Sequence, residues 1–268
     1  MVYEARRARF HALHESGCFA IPNPWDAGTA RVLEQLGFKA LATTSAGFAF
    51  ANGLPDTADA LDVDAALGHI AEIVAATDLP VNADFQAGYA DDAEGVAANV
   101  RRCVETGVAG LSIEDTRPDG GLFELDEAVE RVRAAADAVG PDVLLTARAE
   151  CFLHKHPDAL SEAILRLQAF AEAGADVLYA PGVTDRESIK QLVASVSPKP
   201  LNVLVGGDVG LRIGDLAELG VRRVSVGSAF ARAAWGAFLR SARELADDGG
   251  FTELSSAAPF AELNAMFS

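Results

Sequence analysis

Eight short apolar runs, amphipathic segments between them, and a recurring helix–glycine–strand junction predict a closed (β/α)8 TIM barrel from this 268-residue sequence. The junction recurs as LEQLGFKALA (33–42), VETGVAGLSI (104–113), AEAGADVLYA (171–180) and AELGVRRVSV (217–226). Each ends a helix, places Gly where a left-handed turn suits it, and enters an apolar strand. Two junctions, ATDLPVNADF (76–85) and SPKPLNVLV (197–205), use Pro instead. The residue before Pro resists the helical region, so Pro stops a helix and starts an extended segment.

Taken in order, the strands fall at about 18–22, 39–44, 80–85, 109–114, 142–148, 176–180, 200–205 and 222–227. Between them, segments such as 26–36 and 92–106 read as helices. In the latter, Val96, Val100, Cys103 and Val104 recur at helical spacing. The even count and near-regular spacing favour closure over an open doubly wound sheet. An extra helix at about 2–16 precedes strand one, a terminal helix at 252–267 follows the last barrel helix, and residues 1–268 read as one domain. The connection 45–62 is long for a βα loop and is a candidate lid on the C-terminal face.

Half the residues are hydrophobic and 23% are charged, which suffices for a sizeable core. The net charge of −17 repels phosphate backbones and anionic membranes, so neither nucleic acid nor membrane is an expected partner. The opening MVYEARRARFHALHESG lacks the apolar core of a secretory signal. Cys18, Cys103 and Cys151 show no paired spacing. Together these features predict a cytoplasmic protein without a disulfide framework.

In a barrel, active groups sit at the C-terminal strand tips. Here those tips carry Asp84 and Gln86 (strand three), Glu114 and Asp115 (four), Arg148 and Glu150 (five), and Asn202 (seven). Ser45 and Asp56 follow strand two, and Asn23, Trp25 and Asp26 follow strand one. Asp26 and Asp115 read equally well as helix caps, and Arg148 as part of a structural ion-pair network. Asp84, Glu114 and Asp56 are hard oxygen donors without clustered His or Cys, a set that suits Mg²⁺. Arg148 adds a planar fork matched to a carboxylate. A metal and an Arg together would hold a small 2-oxo acid and stabilise a developing enolate.

His69 reads as an exposed helical residue, and His154 and His156 as exposed loop residues. Cys103 reads as core, and nothing marks Cys151 as reactive. Gly206, Gly207, Gly227 and Ser228 offer a weak phosphate-cradle signal in loops seven and eight.

The stretches 23–49, GLPD (53–56), PVNADFQAGYA (80–90), GVAGLSIED (107–115), LTARAE (145–150) and AGADVLYAPGV (173–183), in this order and spacing, resemble the phosphoenolpyruvate mutase/isocitrate lyase superfamily over roughly 8–240. The resemblance implies a (β/α)8 barrel whose last helix is exchanged between subunits of a homodimer or homotetramer. It implies Mg²⁺, with Mn²⁺ as an alternative, and small 2-oxo acid, dicarboxylate or phosphonate chemistry through an enolate. By position, Asp84 matches the direct metal ligand. Asp56 and Glu114 match acids that hold metal-bound waters. Arg148 matches the carboxylate-binding arginine, and Ser45, Ala46 and Gly47 match the loop whose N–H groups grip the substrate. Asn202 matches a polar strand-seven residue.

Two departures accompany the likeness. Gln86 stands where relatives often have a second acid; it can still accept from a metal-bound water. The loop TRPDGGLFELDEA (116–128) lacks the Cys of the isocitrate-type lyases and the Lys and Asn of phosphonate-processing relatives. The leading expectation is a C–C lyase or decarboxylase. The alternatives are a P–C mutase or hydrolase, a silent 2-oxo acid binder, and an unrelated phosphate-binding isomerase.

Overall fold

The computed structural model describes residues 2–268 and arranges them around eight parallel strands. Helix α1 (Val2–Glu15) precedes β1 (Phe19–Ile21) and α2 (Ala27–Gln35). Then come β2 (Leu41–Ala42), α3 (Ser45–Ala51), α4 (Val63–Ala76), β3 (Val81–Asp84), α5 (Ala93–Glu105), β4 (Gly110–Glu114) and α6 (Leu125–Val139). The chain continues through β5 (Leu144–Arg148), α7 (Ala159–Glu172), β6 (Val177–Tyr179), α8 (Arg186–Val196), β7 (Leu201–Leu204), α9 (Ile213–Glu218), β8 (Arg223–Ser225) and α10 (Ala229–Asp247). A 3₁₀ turn at Glu253–Ser256 and α11 (Phe260–Phe267) close it.

All eight expected strands are present, each within its expected span. The glycines of the four repeated junctions, Gly37, Gly107, Gly174 and Gly220, all take left-handed backbone, at φ of 86°, 94°, 112° and 90°. A side chain would be strained there, which is why the repeat uses Gly. Asp26, Asp62, Asp92 and Asp185 cap the helices that follow by accepting a backbone N–H three residues on. The capping reading of Asp26 therefore holds.

Strand pairing runs β1-β8-β7-β6-β5-β4-β3-β2. At the remaining seam, β1 and β2 meet through one backbone bond, Ala42 N to Pro22 O at 3.0 Å. Asn23 secures this seam: its amide donates to Thr43 O at 2.9 Å, and its oxygen accepts from Val226 N and Gly227 N at 3.0 and 2.8 Å. Gly227 N is thus already engaged, which removes one donor from the proposed phosphate cradle.

The main core lies between the strands and the helical ring, where Leu111, Ile113, Leu145 and Leu178 meet Ile73, Val100, Leu167 and Phe170. A second apolar cluster plugs the barrel bottom, with Phe10 of α1 against Ile21, Ala40, Ala109 and Leu144. Above it the inner wall turns polar: Asn82, Ser112, Thr146, Asn202, Arg223 and Ser225 are all buried.

Three expectations need correction. His69 is buried, 6% exposed, because it stacks on Phe48 at 3.9 Å and bonds Trp25 O at 3.0 Å. The 45–62 connection begins as helix α3, capped by Thr44, which shortens the loop to about 52–62. The terminal segment is split before Pro259, and α11 folds onto α2. Cys103 is core as expected.

Beneath the polar layer, His14 meets Phe10 and Phe19 edge-on and bonds Phe10 O at 2.8 Å through Nδ1. A carbonyl only accepts, so Nδ1 carries the proton and Nε2 faces Arg223 without one. Burial, then the Arg223 charge, lowers the His14 pKa to about 3, while the Phe10 bond opposes them. Above about pH 6.5 the ring is neutral folded or unfolded. Below it the unfolded chain takes a proton that the folded ring refuses until about 3, so stability falls across that window. Melting temperature followed from pH 8 to pH 4 should therefore drop less steeply for His14→Gln than for wild type; parallel curves would refute the assignment.

Candidate active site

Asp84, the last residue of β3, points into the barrel mouth. Its Oδ2 accepts from Ser45 N and Ser45 Oγ, both at 2.9 Å, and its Oδ1 accepts from Arg148 Nη1 at 2.8 Å. Its own N–H donates to Thr43 Oγ1 at 2.8 Å, which fixes the strand tip. From β5, Arg148 also donates through Nε to Glu150 at 2.8 Å and lies 3.1 Å from Glu114. Its guanidinium sits 5.3 Å from the Tyr179 ring centroid. The network reading and the site reading of Arg148 therefore describe one arrangement.

Three acids, Asp84, Glu114 and Glu150, pair with Arg148, Asp56 lies on the same cavity, and a second arginine, Arg223, lines that cavity. Burial is the main cause that raises the Glu114 carboxyl, with Arg148 opposing it and the other acids adding to it. Burial likewise raises Glu150. Partial burial and then the Asp84 charge raise Asp56. Burial alone would lower Arg148, but Glu150, Glu114 and Asp84 more than offset it and keep the guanidinium charged.

This excess of carboxylate over cation fits a divalent ion. Among the described residues, no three His, Cys, Asp or Glu side chains converge as a direct ligand set.

The predicted residues otherwise distribute as follows. Ser45 and Ala46 line the inner cavity of about 170 Å³ with Asp84, Asp56, Arg148 and Asn202. Gly47 stands behind them, its N–H donating to Thr44 Oγ1 at 3.2 Å. Since Ser45 N–H binds Asp84, two of the three N–H groups assigned to substrate are engaged by the protein. Gln86 lines the wider mouth with Glu114 and His154. It takes left-handed backbone, φ 44°, and its carbonyl accepts from Glu114 N at 2.9 Å. A non-glycine residue in that region is strained and marks a constrained loop.

Asp115 caps no helix. It accepts from Glu150 N at 2.8 Å and pairs with Arg166 at 3.1 Å, tying the loop after β4 to the loop after β5. His154 is half-buried and lies 3.3 Å from Thr116 Oγ1, correcting its reading as an exposed loop residue. His156 is also half-buried. Cys151 is buried, with its thiol pushed up to about 12 chiefly by burial.

Sequence reasoning missed Arg166, Tyr179, Arg223 and Ser225. For Arg223 and Ser225 a signal existed: they alternate through VRRVSV at the positions that face inward.

A family model described as phosphoenolpyruvate phosphomutase matches residues 10–246. The chain is similar to a Burkholderia cenocepacia J2315 protein described as a lyase/mutase, at 49% identity and a TM-score of 0.94, covering 100% of this chain and 98% of that one. It is 32% identical to the oxaloacetate decarboxylase of Pseudomonas putida GB-1, over 83% of this chain and 78% of that protein. A phosphonopyruvate hydrolase in complex with oxalate and Mg²⁺ superposes with a TM-score of 0.85 at 25% identity, covering 98% and 94%.

Gly47 gives a test of how tightly the 45–47 turn is held. A Cβ there would lie 2.6 Å from Thr44 Cγ2 and 3.0 Å from Trp25 Cβ. Gly47→Ala should destabilise the fold by about 1–3 kcal/mol in urea melts through overpacking; an unchanged midpoint would show that the turn has slack.

Proposed function

Since the chain belongs to the phosphoenolpyruvate mutase/isocitrate lyase superfamily, we propose that it is a Mg²⁺-dependent enzyme that decarboxylates or cleaves a C–C bond of a small 2-oxo acid through an enolate. The carrying observation is the barrel mouth, where Asp56, Asp84, Glu114 and Glu150 surround Arg148 beside a substrate-sized cavity. Asp84 would be the direct protein ligand, exchanging its present bonds to Ser45 and Arg148 for the ion, and Asp56, Glu114 and Gln86 would hold the ion's waters. Bound there, Mg²⁺ supplies Lewis-acid polarisation of the 2-oxo group and charge for the enolate.

The chain's own groups do the rest. Arg148 presents a fixed guanidinium to the substrate carboxylate, oriented from behind by Glu150. Ser45 holds the Asp84 carboxylate in place through its N–H and hydroxyl, with Ala46 and Gly47 shaping the wall on which the substrate would rest. Asn202 offers its amide from β7. Residues 52–62 carry Asp56 over the mouth and limit water there. Decarboxylation requires an electron sink rather than a dedicated acid. This suits a mouth whose described lining residues include neither Lys nor Cys. The likeness to oxaloacetate decarboxylase supports this reading, and the phosphoenolpyruvate phosphomutase model and the phosphonopyruvate hydrolase keep P–C chemistry as its alternative.

We also assign the partner as a second copy of this chain, in a homodimer or a homotetramer built from it. Only Ala231 of the 19 residues of α10 is buried. Phe230, Trp235, Phe238, Leu239 and Leu245 stay exposed, an apolar face that suits exchange between subunits. Among the described residues, no helix is long and apolar enough to cross a membrane.

Binding, turnover and light-scattering measurements test these readings. Calorimetric titration of oxalate in the presence of Mg²⁺ should show binding that Asp84→Asn weakens more than about tenfold, and titration with Mg²⁺ alone should show that Gln86→Glu tightens the ion by about 1–2 kcal/mol. Pyruvate release from oxaloacetate should stop on chelation. Indifference of binding to Asp84 would remove the metal assignment, and phosphate release from phosphonopyruvate in ³¹P spectra would move the reaction to P–C cleavage. Light scattering should give a dimer or tetramer that Trp235→Glu with Phe238→Glu dissociates; a wild-type monomer would remove the exchange.

A further inference from the structure

The turn that leaves β3, residues 86–91, is held from outside at every one of its carbonyls. Gln86 O accepts from Glu114 N at 2.9 Å. Asn99, on α5, donates through Nδ2 to Gly88 O at 3.0 Å and to Tyr89 O at 2.8 Å. Arg131, on α6, takes the rest. Its Nη2 donates to Ala87 O at 2.9 Å and Ala90 O at 2.7 Å, and its Nη1 donates to Asp91 O at 3.1 Å.

This arrangement is costly on both sides. Gln86 and Tyr89 take left-handed backbone, at φ of 44° and 53°, which strains any residue but glycine. Arg131 is 2% exposed, and its Nε is buried without a hydrogen-bond partner. Its guanidinium lies 4.3 Å from the Phe123 ring centroid and bonds carbonyls, whereas the buried Arg166 pairs with Asp115 and Glu162. A buried charge held only by neutral groups is expensive. What the clamp secures is part of the mouth: Gln86, Tyr89 and Asp91 line the wider cavity with Glu114 and Arg148. The Glu114–Gln86 backbone bond ties the same turn to the tip of β4.

We propose that Arg131 and Asn99 are positioning residues for the metal side of the mouth: by holding the 87–91 carbonyls they fix the strained turn that sets Gln86 beside Glu114, and so they set Mg²⁺ affinity through Gln86. Neither residue touches the ion. A planar guanidinium suits the task because its fork meets several acceptors in one fixed geometry. Without the clamp the turn relaxes out of the left-handed region and Gln86 leaves its place. Asp84 stays, since its backbone is fixed separately by Thr43. Holding the turn in advance removes the cost of ordering it when the ion binds. This rests on the Mg²⁺ reading above.

Calorimetric titration of the full chain with Mg²⁺ alone, run as a double-mutant cycle, tests it. Gln86→Met, which keeps the side chain's size but removes its amide, should weaken Mg²⁺ by about three- to tenfold, and Arg131→Met by a similar factor. The double variant should bind within about twofold of Arg131→Met alone, because clamp and side chain act in series. Adding Asp84→Asn to Arg131→Met should still cost more than about tenfold; its absence would mean a collapsed mouth and would overturn the proposal. Asn99→Ala runs the same cycle if Arg131→Met does not fold. Losses that multiply in the double variant also overturn it, as does unchanged affinity in Gln86→Met. In those two cases wild-type binding that depends on Asp84 leaves the metal reading standing, whereas a wild-type chain that takes up no Mg²⁺ sinks both.

Discussion

Arg148 sets the geometry of the barrel mouth. From the tip of β5 it reaches Asp84 on β3, Glu114 on β4 and Glu150 just beyond its own strand. These acids repel one another, and burial alone would drive Glu114 and Glu150 toward protonation. One delocalised cation with a rigid fork of donors offsets both effects, which a lysine would do poorly. The remaining excess of negative charge is what the proposed divalent ion would offset.

The rest of the molecule supports that cluster from outside. Asp115 and Arg166 lock the loops after β4 and β5 behind Glu150. Thr43 fixes the Asp84 backbone, and Ser45 fixes its carboxylate. Asn23 secures the one seam where strand pairing thins to a single bond. An apolar outer layer supplies cohesion, α1 plugs the bottom with Phe10, and the inner wall above the plug is polar. The barrel therefore separates tasks radially: burial between strands and helices holds the fold, and hydrogen bonding inside the strands shapes the site.

Much of this was legible in the chain. The Gly and Pro junctions mark strand starts because backbone sterics act locally. Asp84, Glu114 and Arg148 could be placed at strand tips because alternation and strand length fix which residues end a strand facing inward. His69 was misread because its burial comes from Phe48 on α3, a helix hidden inside what reads as a long loop. His154 was misread because its partner, Thr116, comes from another loop.

By itself the sequence determined the barrel, the order of its strands, the glycine and proline junctions and the acids and arginine brought to the mouth. These follow from periodicity, capping and turn chemistry, which act over a few residues. Only the tertiary structure decided who pairs with whom: that Arg148 spans three acids, that Asp115 serves Arg166 rather than a helix, and that Arg223 is buried without an acid. Charge pairing and desolvation depend on distances between strands far apart in the chain, and closure of the barrel sets those distances.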